Sequence, residues 1–178
     1  KKIPQKELRD KIGFVPQKAF LFSGTIEENI RYGKEDASIE EVKHAASIAQ
    51  ADEFISDMED KYDSFVAQGG NNLSGGQKQR ISIARALVRK PEVYVFDDSF
   101  SALDFKTDKR LRKALKNEIK DSSAIIIAQR IGTIMDANQI IVLNDGKIVG
   151  IGKHKDLLEN CEVYKQIADS QLSKEELA

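Results

Sequence analysis

The chain has 178 residues, enough to bury a real core in one or two domains. Lys+Arg 28 against Asp+Glu 29 leaves a net charge of −1, so nothing in the bulk charge points to nucleic acid. The single cysteine, Cys161, excludes an internal disulfide and fits a reducing compartment. No apolar run approaches the ~20 residues that cross a bilayer, and Lys1-Lys2-Ile3-Pro4 lacks an apolar leader, so the reading is a soluble chain.

Residues 1–9 are polar, and Ile12-Gly13-Phe14-Val15 reads as a short strand that Pro16, having no ladder donor, brings to an end. Gln17 follows in a loop, ahead of Ala19-Phe20-Leu21-Phe22-Ser23-Gly24-Thr25-Ile26. Ser38-Ile39-Glu40-Glu41 has the form of a capping box, and Val42, Ala45, Ala46 and Ala49 mark one face of a helix reaching about Gln50. A shorter helix is predicted from Asp52 to Met58. His44, among Glu41, Lys43 and Ser47, reads as a solvated side chain rather than a ligand.

Leu73-Ser74-Gly75-Gly76-Gln77 is a glycine-rich turn feeding a helix. Ser74 suits an N-cap, Ile81, Ala84, Leu87 and Val88 recur at helical spacing through Lys90, and Pro91 stops the helix before it. Unpaired N–H groups and the positive end of the helix dipole then converge at one point, which suits a phosphate. The competing reading, a capped surface helix with a flexible entry, holds for an isolated Ser-Gly-Gly.

Val93-Tyr94-Val95-Phe96 is a continuous apolar strand, as expected of a parallel sheet covered on both faces, and runs into Asp97-Asp98 and Ser101-Ala102-Leu103-Asp104. Lys106 to Lys120 reads as a charged helix burying Leu111, Ala114, Leu115 and Ile119. Ala124 to Ala128 reads as a second buried strand, and Ile131 to Ala137 as a short helix. Gln139–Leu143 and Lys147–Ile151, joined by Asn144-Asp145-Gly146, form a predicted hairpin. From Lys153 the chain reads as helical, with Leu157, Leu158, Tyr164 and Ile167 inward, and polar Ser173 to Ala178 is expected to fray. This alternation predicts an α/β fold with a mostly parallel sheet and right-handed crossovers.

Three of these segments, in this order and at these distances, resemble the ATP-binding cassette (ABC) ATPases: the signature LSGGQ at Leu73–Gln77, a Walker B strand ending in Asp97, and the D-loop at Ser101, Ala102, Leu103 and Asp104. The passage from Phe14 to Gly33, with Phe-Val-Pro-Gln and Leu-Phe-Ser-Gly-Thr-Ile, resembles the Q-loop region of exporter-type members. The resemblance implies a P-loop NTPase-like fold with an inserted helical subdomain: residues 1–24 as the Q-loop region, 25–90 as the helical signature subdomain, and 91–178 as the Walker B, D-loop and switch core with a C-terminal helix. It implies ATP and Mg²⁺ as cofactors, Asp97 and Gln17 at the metal, Gln17 also at the attacking water, and the residues after Gln17 lining a groove for the membrane domain's coupling helix. No G-x-x-x-x-G-K-[S/T] loop occurs in the chain. In the family it precedes the Q-loop, so the expectation is the C-terminal part of a nucleotide-binding domain, which by itself binds ATP poorly.

The chain departs from the family on one catalytic surface. Asp98 stands where the family has the glutamate that orients water, one methylene short. Gln129, after the Ala124–Ala128 strand, stands where the family has its switch histidine, and Gln68 stands where exporters carry glutamate. Glutamine can donate a hydrogen bond but carries no proton or charge. In the family, two nucleotide-binding domains pack head to tail, each ATP lying between one partner's Walker motifs and the other's signature. A weakened Walker B and switch side beside an intact signature therefore resembles the degenerate half of a heterodimeric exporter at the cytoplasmic face of a membrane. Its expected partners are a second, non-identical nucleotide-binding domain and the coupling helices, with no nucleic acid. Two alternatives stand beside it. A soluble ABC ATPase acting on nucleic acid or ribosomes lacks support, because the stretch from Gln17 to Leu73 has no heptads or basic runs. A nucleotide-binding regulatory clamp differs only in how much turnover the assembled complex shows.

Overall fold

A computed structural model describes residues 3–172, and the fraying expected of Ser173 to Ala178 lies outside them. The chain divides into two compact units, one up to Ile127 and one from Ala128 on.

The first unit is organised on three parallel strands, β1 (Ile12–Val15), β4 (Val93–Asp97) and β5 (Ser123–Ile127), in the order β1-β4-β5. Phe14 pairs with Val95 and Val95 with Ile125, while Val15 pairs with Phe96 and Phe96 with Ile126. Before β1 lies α1 (Gln5–Asp10). Between β1 and β4 the chain builds α2 (Ile26–Arg31), α3 (Ile39–Ile48), α4 (Asp52–Ser56) and α5 (Gly75–Leu87). Within that stretch β2 (Gly24–Thr25) and β3 (Phe65–Val66) add a short antiparallel ladder that the sequence pattern does not announce. Three of these helices start on the same device: Thr25 with Glu28, Ser38 with Glu41, and Ser74 with Gln77 each form a capping box. α6 (Phe105–Glu118) follows β4, with Leu111 and Leu115 buried and Ala114 and Ile119 half-buried.

The core joins the helices to one face of the sheet. Val15, Tyr94 and Phe96 are buried with Ile26, Ile30, Ile55, Ile81, Ile83 and Leu111. The opposite face departs from expectation: Phe14, Ile125 and Ile127 are 55%, 54% and 51% exposed. β5 is thus not the buried strand its composition suggests, and β4 is closed on one face only, alternating half-buried and buried residues. The physical reason is positional. Among the described residues β5 pairs on one side alone, and the helices pack on the face that Tyr94 and Phe96 share. His44 is half-solvated as expected, but its Nε2 lies 3.0 Å from Glu118 Oε1, joining α3 to α6.

The second unit holds α7 (Ile131–Ile134), the hairpin β6 (Ile140–Asn144) and β7 (Lys147–Gly152), α8 (His154–Asn160) and α9 (Glu162–Gln171). Asp145 and Gly146, with φ of 49° and 74°, make the two-residue turn. Ile131, Ile140, Val142, Leu157, Cys161, Tyr164 and Ala168 form its own core. His154 is less solvated than its polar sequence context suggests, since Nδ1 lies 2.8 Å from the buried Tyr164 hydroxyl.

Candidate functional site

Parallel strands deliver their C-terminal ends to one edge, where α/β sheets place ligands. β1 leads there into Pro16 and Gln17, and β4 leads into Asp97 and Asp98. The Gln17 amide Nε2 donates to Asp98 Oδ2 at 3.1 Å, joining two residues 81 apart in sequence. Gln17 is exposed, and Asp97 and Asp98 are half-buried. Asp98 sits at φ 44°, in the left-handed region that aspartate tolerates better than most residues, and its N–H donates to Ile127 O at 2.8 Å. Three sequence-identified residues thus meet at one edge.

The backbone beneath them is clamped. Ser99 is fully buried, and its Oγ donates to Val15 O at 2.9 Å. Gln79, 2% exposed on α5, donates from Nε2 to Pro16 O at 3.0 Å. Sequence reasoning missed both. A signal for Gln79 existed, because Gln79, Ile83 and Ala86 recur at i, i+4 and i+7, marking a second buried face on α5. No comparable signal marked Ser99.

The edge offers two carboxylates and an amide, all oxygen donors. That set suits Mg²⁺, which proteins hold through one or two carboxylates while phosphate and water supply the rest. Among the described residues no group of three or more His, Cys, Asp and Glu forms a metal cage of its own.

The signature turn lies at the N-terminus of the 13-residue helix α5. Leu73 is buried and anchors the turn, whereas Ser74 and Gly75 are exposed. Ser74 Oγ accepts from Gln77 N at 3.2 Å, and Gln77 Oε1 accepts from Ser74 N at 2.9 Å, so the hydroxyl keeps its own proton to donate. A Cβ at Gly75 would meet nothing within 4 Å, leaving room for a bulky anion at the helix dipole's positive end. A Cβ at Gly76 would lie 3.2 Å from Ala102 O, so the structure sets the signature turn against the D-loop. There Leu103 is buried, Ser101 Oγ donates to Asp98 O at 2.8 Å, and Asp104 caps α6 by accepting from Thr107 N at 3.0 Å. Hydrogen bonds from Thr107, side chain first, hold the Asp104 carboxyl below its ordinary pKa.

After Gln17, a groove of about 260 Å³ is lined by Phe20, Phe22, Tyr32, Arg85 and Arg89 among others. The Arg85 guanidinium donates to Asn29 O, Asn29 Oδ1 and Phe20 O at 2.8–2.9 Å and lies 5.3 Å from the Phe22 ring centre. Its burial pushes the guanidinium pKa down. Gln129 belongs to the second unit, where it is exposed and its carbonyl accepts from Gln171 Nε2 at 2.8 Å. Gln171 Oε1 also accepts from Ile131 N at 2.9 Å, steadying the start of α7.

A family model described as ABC transporter matches residues 1–101. YfiB, an uncharacterized ABC transporter ATP-binding protein of Bacillus subtilis (strain 168), is 49% identical over 173 residues, covering 97% of this chain and 30% of its own length. ABC transporter B family member 2 of Dictyostelium discoideum is 44% identical over 165 residues, covering 93% of this chain and 12% of its own. The solved structure of a bacterial Atm1-family ABC exporter with ATP bound matches with a TM-score of 0.93 at 38% identity, over 97% of this chain and 30% of that one. The chain therefore spans less than a third of the length of these relatives.

Proposed function

Because this chain belongs to the ABC transporter family, as an ATP-binding domain of the exporter type, we propose that it is the degenerate half of an asymmetric ATPase pair. Its own Walker side binds Mg-ATP and hydrolyses it slowly. Its signature completes the competent site of a second, non-identical domain, and together they power export of small or lipophilic substrates from the cytoplasmic face of a membrane. Residues 25–90 act as the signature subdomain and 91–178 as the catalytic and switch core.

The hydrolytic side of this reading is supported by the Gln17–Asp98 hydrogen bond at the strand edge beside Asp97, and its asymmetry by Asp98 and Gln129 standing where the family has glutamate and histidine. In the proposed mechanism Asp97 holds the metal, which neutralises phosphate charge when bound. Gln17 and Asp98 orient the attacking water. The aspartate's shorter reach sets its carboxylate back by about 1 Å, a misplacement that can cost on the order of 100-fold. Gln129 donates to the γ-phosphate without supplying charge. Ser74 Oγ and the Gly75 and Gly76 N–H groups donate to the partner's γ-phosphate. The groove of Phe20, Phe22, Tyr32, Arg85 and Arg89 receives a coupling helix of the membrane domain.

The test is ATP turnover of the full-length protein assembled with its partner. Ser74→Arg, which puts bulk and charge where a phosphate docks, is expected to remove most turnover, and Asp98→Asn much less. If Asp98→Asn silences the complex as thoroughly, the site is not degenerate and Asp98 is a competent base.

A further inference from the structure

Gln79 is a glutamine with 2% exposure on a helix whose other buried residues are apolar or small. A buried amide costs stability unless its polar atoms find partners, so its placement has to be explained by what it bonds. Its Nε2 donates to Pro16 O at 3.0 Å, across 63 residues of sequence. Pro16 lies one residue past β1, whose ladder with β4 ends at the Val15–Phe96 pair. The Pro16 carbonyl lies past the last ladder pair, and Gln79 Nε2 supplies a donor for it, while Ser99 Oγ adds a side-chain bond to the neighbouring Val15 O. The next residue is Gln17, whose amide reaches Asp98 Oδ2 at 3.1 Å. The peptide plane that sets Gln17's direction is therefore held from α5, the helix that begins at Ser74 and Gly75.

We infer that Gln79 is a positioning residue for Gln17, tying the hydrolytic edge of this chain to the helix that presents the signature turn to the partner's nucleotide. Gln79 lies five residues from Ser74 along one rigid helix, so a shift of α5 when phosphate docks on the signature moves the Pro16 carbonyl and with it the Gln17 amide. The bond gives the two ATP sites a physical link inside a single chain. The inference rests on the reading of Gln17 and Asp98 as the hydrolytic edge, and the experiment separates the failure of either.

The experiment uses the full-length protein assembled with its partner, the partner's phosphate-loop lysine being replaced so that the Mg-ATP turnover measured belongs to this chain's site. Gln79→Met keeps length and burial but removes the donor. It is expected to lower kcat about tenfold, the scale of a sub-ångström misplacement, with KM for ATP within about twofold of wild type. In a Gln17→Ala background the same substitution is expected to change nothing further, because its effect runs through Gln17. Losses that multiply in the double variant, or an unchanged kcat in Gln79→Met, would overturn the inference. A kcat untouched by Gln17→Ala alone would instead remove the reading beneath it. Should Gln79→Met fail to assemble, Gln79→Glu serves. The introduced carboxyl, buried and pushed up in pKa, donates to Pro16 O only when protonated, so kcat relative to wild type should recover as pH falls. A relative kcat independent of pH in that variant counts against the inference.

Discussion

Asp98→Glu offers a direct test of why this site is slow. The Gln17 amide already sits 3.1 Å from Asp98 Oδ2, so an added methylene cannot extend along that line. Either the longer carboxylate slides past Gln17 toward the position of the attacking water, or it displaces Gln17 from the strand edge. The clamp on Val15 O and Pro16 O resists the second outcome. Recovering about 1 Å of reach is expected to raise turnover at this site roughly 10- to 100-fold. The backbone opposes it modestly: at φ 44° glutamate is less comfortable than aspartate, a strain of about 1 kcal/mol that lowers the melting temperature by a few degrees. The assay is Mg-ATP hydrolysis by the full-length protein, assembled with a partner whose own site is silenced at its phosphate-loop lysine. A rate that stays flat or falls, with the fold retained by circular dichroism, refutes the claim that reach limits this site. Adding Gln129→His to Asp98→Glu should then raise the rate further without improving transport coupling.

Ser74→Ala removes the hydroxyl that accepts from Gln77 N, and loss of such a cap costs about 1 kcal/mol, read as a lower midpoint in urea. Gly33→Ala places a Cβ 2.0 Å from Arg85 O, a backbone atom that cannot swing away, so a loss of roughly 1–3 kcal/mol is expected by the same measurement. The Asp104 carboxyl, held below its ordinary value in the folded chain, contributes stability that is present above the unfolded-state value and lost as pH falls through the folded one. Asp104→Asn, which keeps the cap but cannot titrate, should therefore flatten the decline of melting temperature below about pH 4. Gln17→Ala should lower transport more than ATP binding, and equal losses in both would separate Gln17 from coupling.

Local chemistry was legible wherever one residue's neighbours decided its state. The capping box at Ser38, the N-cap at Ser74, the strand ended by Pro16 and the Asp145-Gly146 turn depend on contacts within a few residues, and each forms as the pattern predicts. The signature, Q-loop and Walker B segments were legible as motifs, and the family resemblance already implied that Gln17 meets Asp97 and Asp98, but the individual contacts were not legible. Gln17 touching Asp98 and Gly76 lying against Ala102 follow from parallel pairing and helix packing that no short window contains. The run Ala124-Ile125-Ile126-Ile127 misled, because composition reports how apolar a strand is and not whether a layer covers it. The left-handed backbone of Asp98 was equally invisible, since an aspartate after a strand reads the same with φ of either sign.

The exposed isoleucines of β5 have a consequence for the chain's colloidal behaviour. Ser123–Ile127 carries no charge, no proline and no glycine, shows Ile125 and Ile127 to solvent, and among the described residues has its backbone ladder on one side only. Such an edge is a template on which a second copy can add a strand, and natural proteins blunt it with lysine, proline or a bulge, none of which this strand has. A lysine in place of Ile125, on the face opposite the core, would blunt the edge while leaving the strand edge that carries Gln17 and Asp98 as it is.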